Sequence, residues 1–142
     1  MRGVNAAPEI AWAQLRALAV EAATRSYAPY SHVTVGAGAL CSNGRLISGS
    51  NIENASYGLT LCAECSLVSD LIRSEGGRLV AVSIVAGDGL PIAPCGRCRQ
   101  LLFEHGGSNL LLDAGEGVAP RTLAELLPDA FGPDDLGIRR NQ

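Results

Sequence analysis

Apolar residues at Ile10, Ala13, Leu15, Ala17, Leu18 and Ala22 fall at near-helical spacing, which predicts a helix over 8–27 with Pro8 in its first turn. Ala28-Pro29-Tyr30-Ser31 breaks that pattern. Val33 to Cys41, rich in Val, Ala and Gly, reads as a strand. Asn43-Gly44 is a two-residue hairpin signal, pairing that strand antiparallel with Arg45 to Ile52. A loop containing Gly58 leads into a helix from Cys62 to about Arg73, closed by Gly76-Gly77. Leu79 to Ala86 reads as a buried strand, followed by the turn Gly87-Asp88-Gly89. Pro94 opens a helix to about His105, which Gly106-Gly107 ends. Leu110 to Leu112 is a short strand and Thr122 to Leu127 a short helix, while the tail from Pro133 is weakly specified. The order α-β-β-α-β-α-β-α implies a mixed sheet with helices packed on it.

At 142 residues the chain fits one domain, 1–142, with enough apolar content to bury a core. A net charge of −3 with no basic run gives no footprint for nucleic-acid binding. No stretch approaches the length of a membrane span, and MRGVNAAPEI lacks the apolar centre of a secretory signal. The expected location is therefore cytoplasmic. In that setting five cysteines point to metal or redox chemistry before disulfides, and their odd number agrees.

The cysteines fall in two groups, LCAEC at 61–65 and PCGRCRQ at 94–100, each at a predicted helix start. Backbone N–H groups and the positive helix end favour thiolates there. Cys95 and Cys98 share a helix face and can chelate one ion, with Cys62 as a third ligand. Sulfur donors favour zinc over magnesium or calcium. Three protein ligands leave a position for water, whose pKa zinc lowers from about 15.7 towards roughly 7. Glu64 is the acid/base group set among them.

Other readings of the same residues stand beside this one. Adding Cys65 makes a four-cysteine structural zinc module, which closes the coordination sphere and leaves Glu64 idle. CGRC alone is also the pattern of a thiol redox pair. Cys41, in a predicted strand, reads as a small buried apolar residue. His32 and His105 read as a loop residue and a helix C-terminal cation. Asn51, Glu53 and Asn54 make an acceptable polar turn after a strand. Tyr57 and Phe131 are acceptable as core aromatics.

Cys62-Ala63-Glu64 followed by Pro94-Cys95-Gly96-Arg97-Cys98 resembles the signature of the zinc nucleoside deaminases, and among them the small cytidine deaminase family. Tyr30-Ser31, Val35-Gly36-Ala37, Asn51-Ile52-Glu53-Asn54, Tyr57-Gly58 and Arg99-Gln100 extend the match over about 27–100, with a weaker echo at 126–131. The resemblance implies an α/β fold, a mixed sheet of about five strands sandwiched by helices in three layers. It implies one zinc per chain on Cys62, Cys95 and Cys98, activating water for attack on C4 of cytosine. Glu64 would take the water proton, protonate N3 and later serve the departing ammonia. Asn51 and Glu53 would contact the ribose hydroxyls, and backbone groups around Ala63 the pyrimidine edge. Tyr57 and Phe131 match positions that reach a neighbouring subunit's pocket in a homotetramer. The implied activity is pyrimidine salvage, converting cytidine and deoxycytidine to uridine and deoxyuridine. A blasticidin-type deaminase shares CAE and PCGRCRQ, but lacks the Asn-x-Glu-Asn pattern.

Two positions depart from the family. Val33 stands where many members carry an aromatic that stacks on the base. Cys65 stands where many carry Arg directly after the catalytic Glu. Three thiolates on Zn²⁺ leave a net charge of −1, which an arginine near the sulfurs would offset. Arg99 is expected to do this from outside the ligand set, with Arg97 as a helper and Cys65 as a neutral neighbour.

Overall fold

The computed structural model of the protein describes residues 9–137, so Pro8 and the end of the tail lie outside the described residues. Its elements are α1 (Trp12–Ala23), β1 (Val35–Cys41), β2 (Leu46–Ser50), a 3-10 turn at Tyr57–Leu59, α2 (Ala63–Arg73), β3 (Leu79–Ala86), α3 (Gly96–Gly106), β4 (Leu111–Leu112), β5 (Arg121–Thr122), α4 (Leu123–Leu126) and a 3-10 turn at Pro133–Leu136. The strands lie in the order β2-β1-β3-β4-β5. Among these strands only β3 and β4 run parallel to each other, and α3 is the crossover that a parallel pair requires.

Register sorts the sheet's residues onto two faces. Gly36, Ser50 and Val85 align on one, Ala37, Gly49 and Ile84 on the other. On the first face α1 lies so close that a methyl group on Gly36 would overlap the Ala19 carbonyl. Ser50 Oγ donates to the Ala22 carbonyl across the same contact, at 2.6 Å. On the second face Ala37, Ala39 and Ile84 pack with Leu67 and Leu71 of α2 and Leu102 of α3 in one buried core. The result is three layers, with α1 on one side and α2 and α3 on the other. A methyl group on Gly49 would overlap the Ala63 carbonyl and the Leu67 amide. The first turn of α2 is thus seated directly on β2, which fixes where Glu64 sits.

Several boundaries differ from those the sequence predicts, each for a local reason. Helix α1 stops at Ala23 because Thr24 Oγ1 turns back to the Glu21 carbonyl (2.6 Å), and Tyr27 is taken into a bridge with Ile52. Strand β1 begins at Val35 instead of Val33, since the Asn51 side chain occupies the backbone groups of both residues. The β1–β2 connection is a three-residue loop, not a two-residue one. Gly44 alone is left-handed (φ 87°), its N–H donates to the Cys41 carbonyl, and Cys41 N–H donates to Arg45, a type I turn with a bulge. Pro94 precedes α3 without entering it, and Cys95 caps the helix. The helix predicted from Thr122 begins at Leu123, and Thr122 instead joins Arg121 in β5, where two residues carry no alternation to recognise.

A polar pin ties α1 to the far end of the sheet. Arg16 makes a bidentate pair with Asp113 at 2.7 and 2.8 Å, and Ser83 Oγ donates to the same carboxylate at 2.8 Å. The Asp113 side chain is 2% exposed. Burial alone would raise its pKa, but Arg16, Ser83 and the Gly115 amide together hold it below the usual carboxylate value. A carboxyl depressed in the native state stabilises the fold above its unfolded pKa of about 3.9 and loses that contribution as pH falls through the native value. Asp113→Ala is therefore expected to cost about 3 kcal/mol at neutral pH, the scale of breaking a buried pair. Urea denaturation should show the difference from wild type shrinking below about pH 4. An unchanged midpoint at pH 7 would remove the pin from the stability argument.

Candidate active site

Cys62 and Cys95 each stand immediately before a helix in nearly the same extended conformation, with φ −68° and ψ 160° for one and φ −64° and ψ 167° for the other. Each thiol is therefore carried beside the free amides at a helix start. Cys98 lies one turn into α3 and is fully buried. The Cys62 and Cys95 sulfurs are 3.9 Å apart, and all three sulfurs lie within 4.8 Å of one another. Tetrahedral zinc with Zn–S bonds of about 2.3 Å requires sulfurs about 3.8 Å apart, so the trio fits the ion. Burial pushes the Cys62 and Cys98 thiols up, and the carboxylate of Glu64 adds to both. At Cys95 burial acts the same way but is outweighed by hydrogen bonds from the Cys98 amide and the neighbouring thiols, which bring it below its ordinary value. Zinc binding here displaces protons, so affinity rises with pH.

Glu64 is the second residue of α2 and 4% exposed. Burial raises its carboxyl pKa against the pull of its own amide and the Cys98 thiol. It shares a cavity of about 190 Å³ with Cys62 and Cys95, walled also by Val35, Asn51 and Ile92. Ala63 belongs to the same wall and is itself buried. A second cavity of about 380 Å³ lies further out between Tyr30, Ser31, Glu53 and Tyr57. Thr60 borders both.

The polar pair between the cavities is heavily committed to the backbone. Asn51 Oδ1 accepts from Val35 N–H and its Nδ2 donates to the Val33 carbonyl, both at 2.8 Å. That leaves the amide one N–H and one lone pair. Glu53 accepts from the Tyr30 and Ser31 amides at 3.0 and 3.1 Å and from Ser31 Oγ at 2.6 Å. These bonds, the Ser31 hydroxyl foremost, hold its carboxyl below the ordinary value. Tyr57 is 76% exposed and meets Tyr30 edge-on, with ring centroids 5.9 Å apart.

Val33, expected to lie against the base, lies elsewhere, and Phe131, expected to reach a neighbouring subunit's pocket, is not on the wall of either cavity of its own chain. Val33 is 56% exposed and outside the inner cavity's wall, whereas Val35, two residues on, belongs to it. The two valines share a strand-like alternation, so spacing alone does not choose between them. Phe131 is 59% exposed, and its carbonyl accepts from Gln100 Nε2 at 2.8 Å, away from both cavities. Ile92 has no signal in the sequence, because it reaches the site from a loop held by an isolated bridge between Val85 and Pro91.

The arginines divide differently from expectation. Arg97 Nη2 approaches the Cys65 sulfur at 3.5 Å, and Cys65 stands outside the three-sulfur group. Arg99 touches no sulfur. Its Nε donates to the Pro94 carbonyl at 3.0 Å and its Nη1 to the Leu126 carbonyl at 2.8 Å, bracing the turn that presents Cys95. Arg99→Ala is expected to speed zinc loss to a chelator by roughly 10- to 100-fold, the usual cost of removing a brace behind a ligand. Loss at the wild-type rate, followed with a zinc indicator, would show that the turn holds itself.

Among the described residues, no helix is long and apolar enough to cross a membrane. Residues 12–112 match the family described as the cytidine and deoxycytidylate deaminase zinc-binding region. The chain is 56% identical over 133 residues to the cytidine deaminase of Mycobacterium tuberculosis H37Rv, covering 94% of this chain and 98% of that protein. It is 42% identical over 122 residues to the cytidine deaminase of Halalkalibacterium halodurans, covering 83% and 92%. The crystal structure of the Mycobacterium tuberculosis cytidine deaminase superposes with a TM-score of 0.83 at 55% identity, over 87% of this chain and 99% of that one. That of the Mycobacterium leprae cytidine deaminase gives 0.81 at 52% identity, over 85% and 100%. With a fitting three-sulfur cluster beside a buried glutamate and these likenesses over most of its length, the chain belongs to the cytidine and deoxycytidylate deaminase zinc-binding family.

Proposed function

We propose that this protein deaminates cytidine and deoxycytidine hydrolytically, giving uridine or deoxyuridine and ammonia in pyrimidine salvage. The observation that carries the reading is a cluster of three sulfurs, not four, opening on a cavity that also holds Glu64. Cys62, Cys95 and Cys98 hold the zinc. When bound, the zinc would lower the pKa of a coordinated water towards roughly 7.

Glu64 performs the proton transfers. Its buried carboxylate stands beside the metal ligands, so one group can accept a proton from water, pass it to ring N3, and later assist the leaving ammonia. Burial keeps competing solvent from its oxygens. Backbone groups at Ala63 meet the pyrimidine edge, while Asn51 and Glu53 meet the sugar with the hydrogen-bonding capacity their backbone contacts leave over. A free base would leave these groups unpaired and bind poorly. Tyr57 and Phe131, both exposed in the single chain, support a homotetramer in which each reaches a neighbouring copy's pocket. Sedimentation velocity tests the assembly.

The reaction is tested by incubating zinc-loaded protein with cytidine and following the loss of cytidine absorbance. Conversion to uridine with release of ammonia is expected. A folded protein carrying one zinc per chain and leaving cytidine untouched would overturn the assignment.

A further inference from the structure

A nucleoside bound with its base beside Glu64 and its sugar beside Glu53 has to span both cavities, and Thr60 stands on the wall of each. The backbone of Thr60 is fixed, because its N–H donates to the Tyr57 carbonyl at 3.1 Å where the 3-10 turn ends. Its hydroxyl makes no hydrogen bond within the described residues. Three serine hydroxyls of the surrounding segments are engaged. Ser31 donates to Glu53, Ser50 to the Ala22 carbonyl and Ser26 to the Val35 carbonyl. Thr60 therefore presents an uncommitted donor and acceptor at the point where the sugar must pass.

We propose that Thr60 is a specificity-determining residue whose hydroxyl binds a sugar hydroxyl of the nucleoside. The inference rests on the function proposed above and deepens it. A hydroxyl both donates and accepts, which suits another hydroxyl. Among the described residues, no lysine, arginine or histidine is on the wall of either cavity, and Glu53 is held as a carboxylate. The described lining of the passage therefore suits a neutral sugar. Asn51 and Glu53, having spent most of their bonds on the segment from Tyr30 to Val35, leave sugar hydroxyls for Thr60 to satisfy.

The test compares wild type, Thr60→Val and Thr60→Ser, all zinc-loaded, on cytidine and its 2′-, 3′- and 5′-deoxy analogues. Valine keeps the shape and removes the hydroxyl, while serine keeps the hydroxyl. For cytidine, Thr60→Val should lower kcat/KM by roughly two- to twelvefold, the worth of one neutral hydrogen bond, chiefly through KM. Thr60→Ser should restore it. The loss should disappear for the one analogue that lacks the partner hydroxyl. Equal kcat/KM for wild type and Thr60→Val on cytidine overturns the proposal. So does a loss of the same size on all three analogues, which marks a packing role. Zinc content and melting temperature, measured on each variant, report folding separately. Failure of wild type itself to convert cytidine defeats the proposed function, and Thr60's role with it, in a way the variants cannot imitate.

Discussion

Glu64→Gln is expected to lower turnover by about 100- to 10,000-fold while leaving one zinc per chain. Glutamine keeps the size of the side chain and its place on the first turn of α2, but it has no oxygen that can accept and return a proton. The cysteines do not depend on it, so metal content should hold. The pH profile gives a second reading of the same residue. An acid limb of kcat/KM set by Glu64 should be absent from the variant's residual rate. A variant that turns over cytidine at the wild-type rate would strip Glu64 of its role. Loss of zinc along with activity would make it a structural residue of the metal centre.

The second large effect separates the four cysteines of the two motifs. Cys98→Ser is expected to reduce zinc from one per chain to near none under dialysis, with a marked fall in melting temperature. Its sulfur is fully buried between Cys62, Cys95 and Glu64, and an alcohol there neither ionises readily nor suits the ion. Cys65→Ser should keep one zinc per chain, since its sulfur lies against Arg97 outside the cluster. Atomic absorption on the two proteins decides the matter. Metal lost from Cys65→Ser as well would mean that a fourth thiolate closes the coordination sphere and excludes water.

Much of this was legible in the sequence, and what was not has physical causes. The strand Leu79 to Ala86 is read to the residue because a short run rich in Val and Ile is bounded by Gly76-Gly77 and Gly87-Asp88-Gly89. The cysteine spacing predicts the trio's convergence, because both motifs open helices and a helix start fixes where its cap points. The contents of the cavity wall are another matter. Val35 rather than Val33 faces the site because the Asn51 amide stands in for a rung of the β1 ladder, a tertiary contact that no local window contains. Arg97 and Arg99 are two residues apart on α3, so they leave the helix in different directions. Which one meets a sulfur depends on how α2 lies beside α3. Strand β5 is two residues long and exists only because β4 is there to pair with it.

The shared start of α2 and α3 at ligand thiols bears on the missing arginine at position 65. A helix start carries roughly half a positive charge, so two aimed at one point supply about one unit. Three thiolates on a divalent ion leave one unit of the opposite sign. Main-chain dipoles would thus offset much of the excess charge of a bound metal and its ligands, and substitution of a neighbouring side chain leaves those dipoles in place. A small uncharged residue suffices at that position.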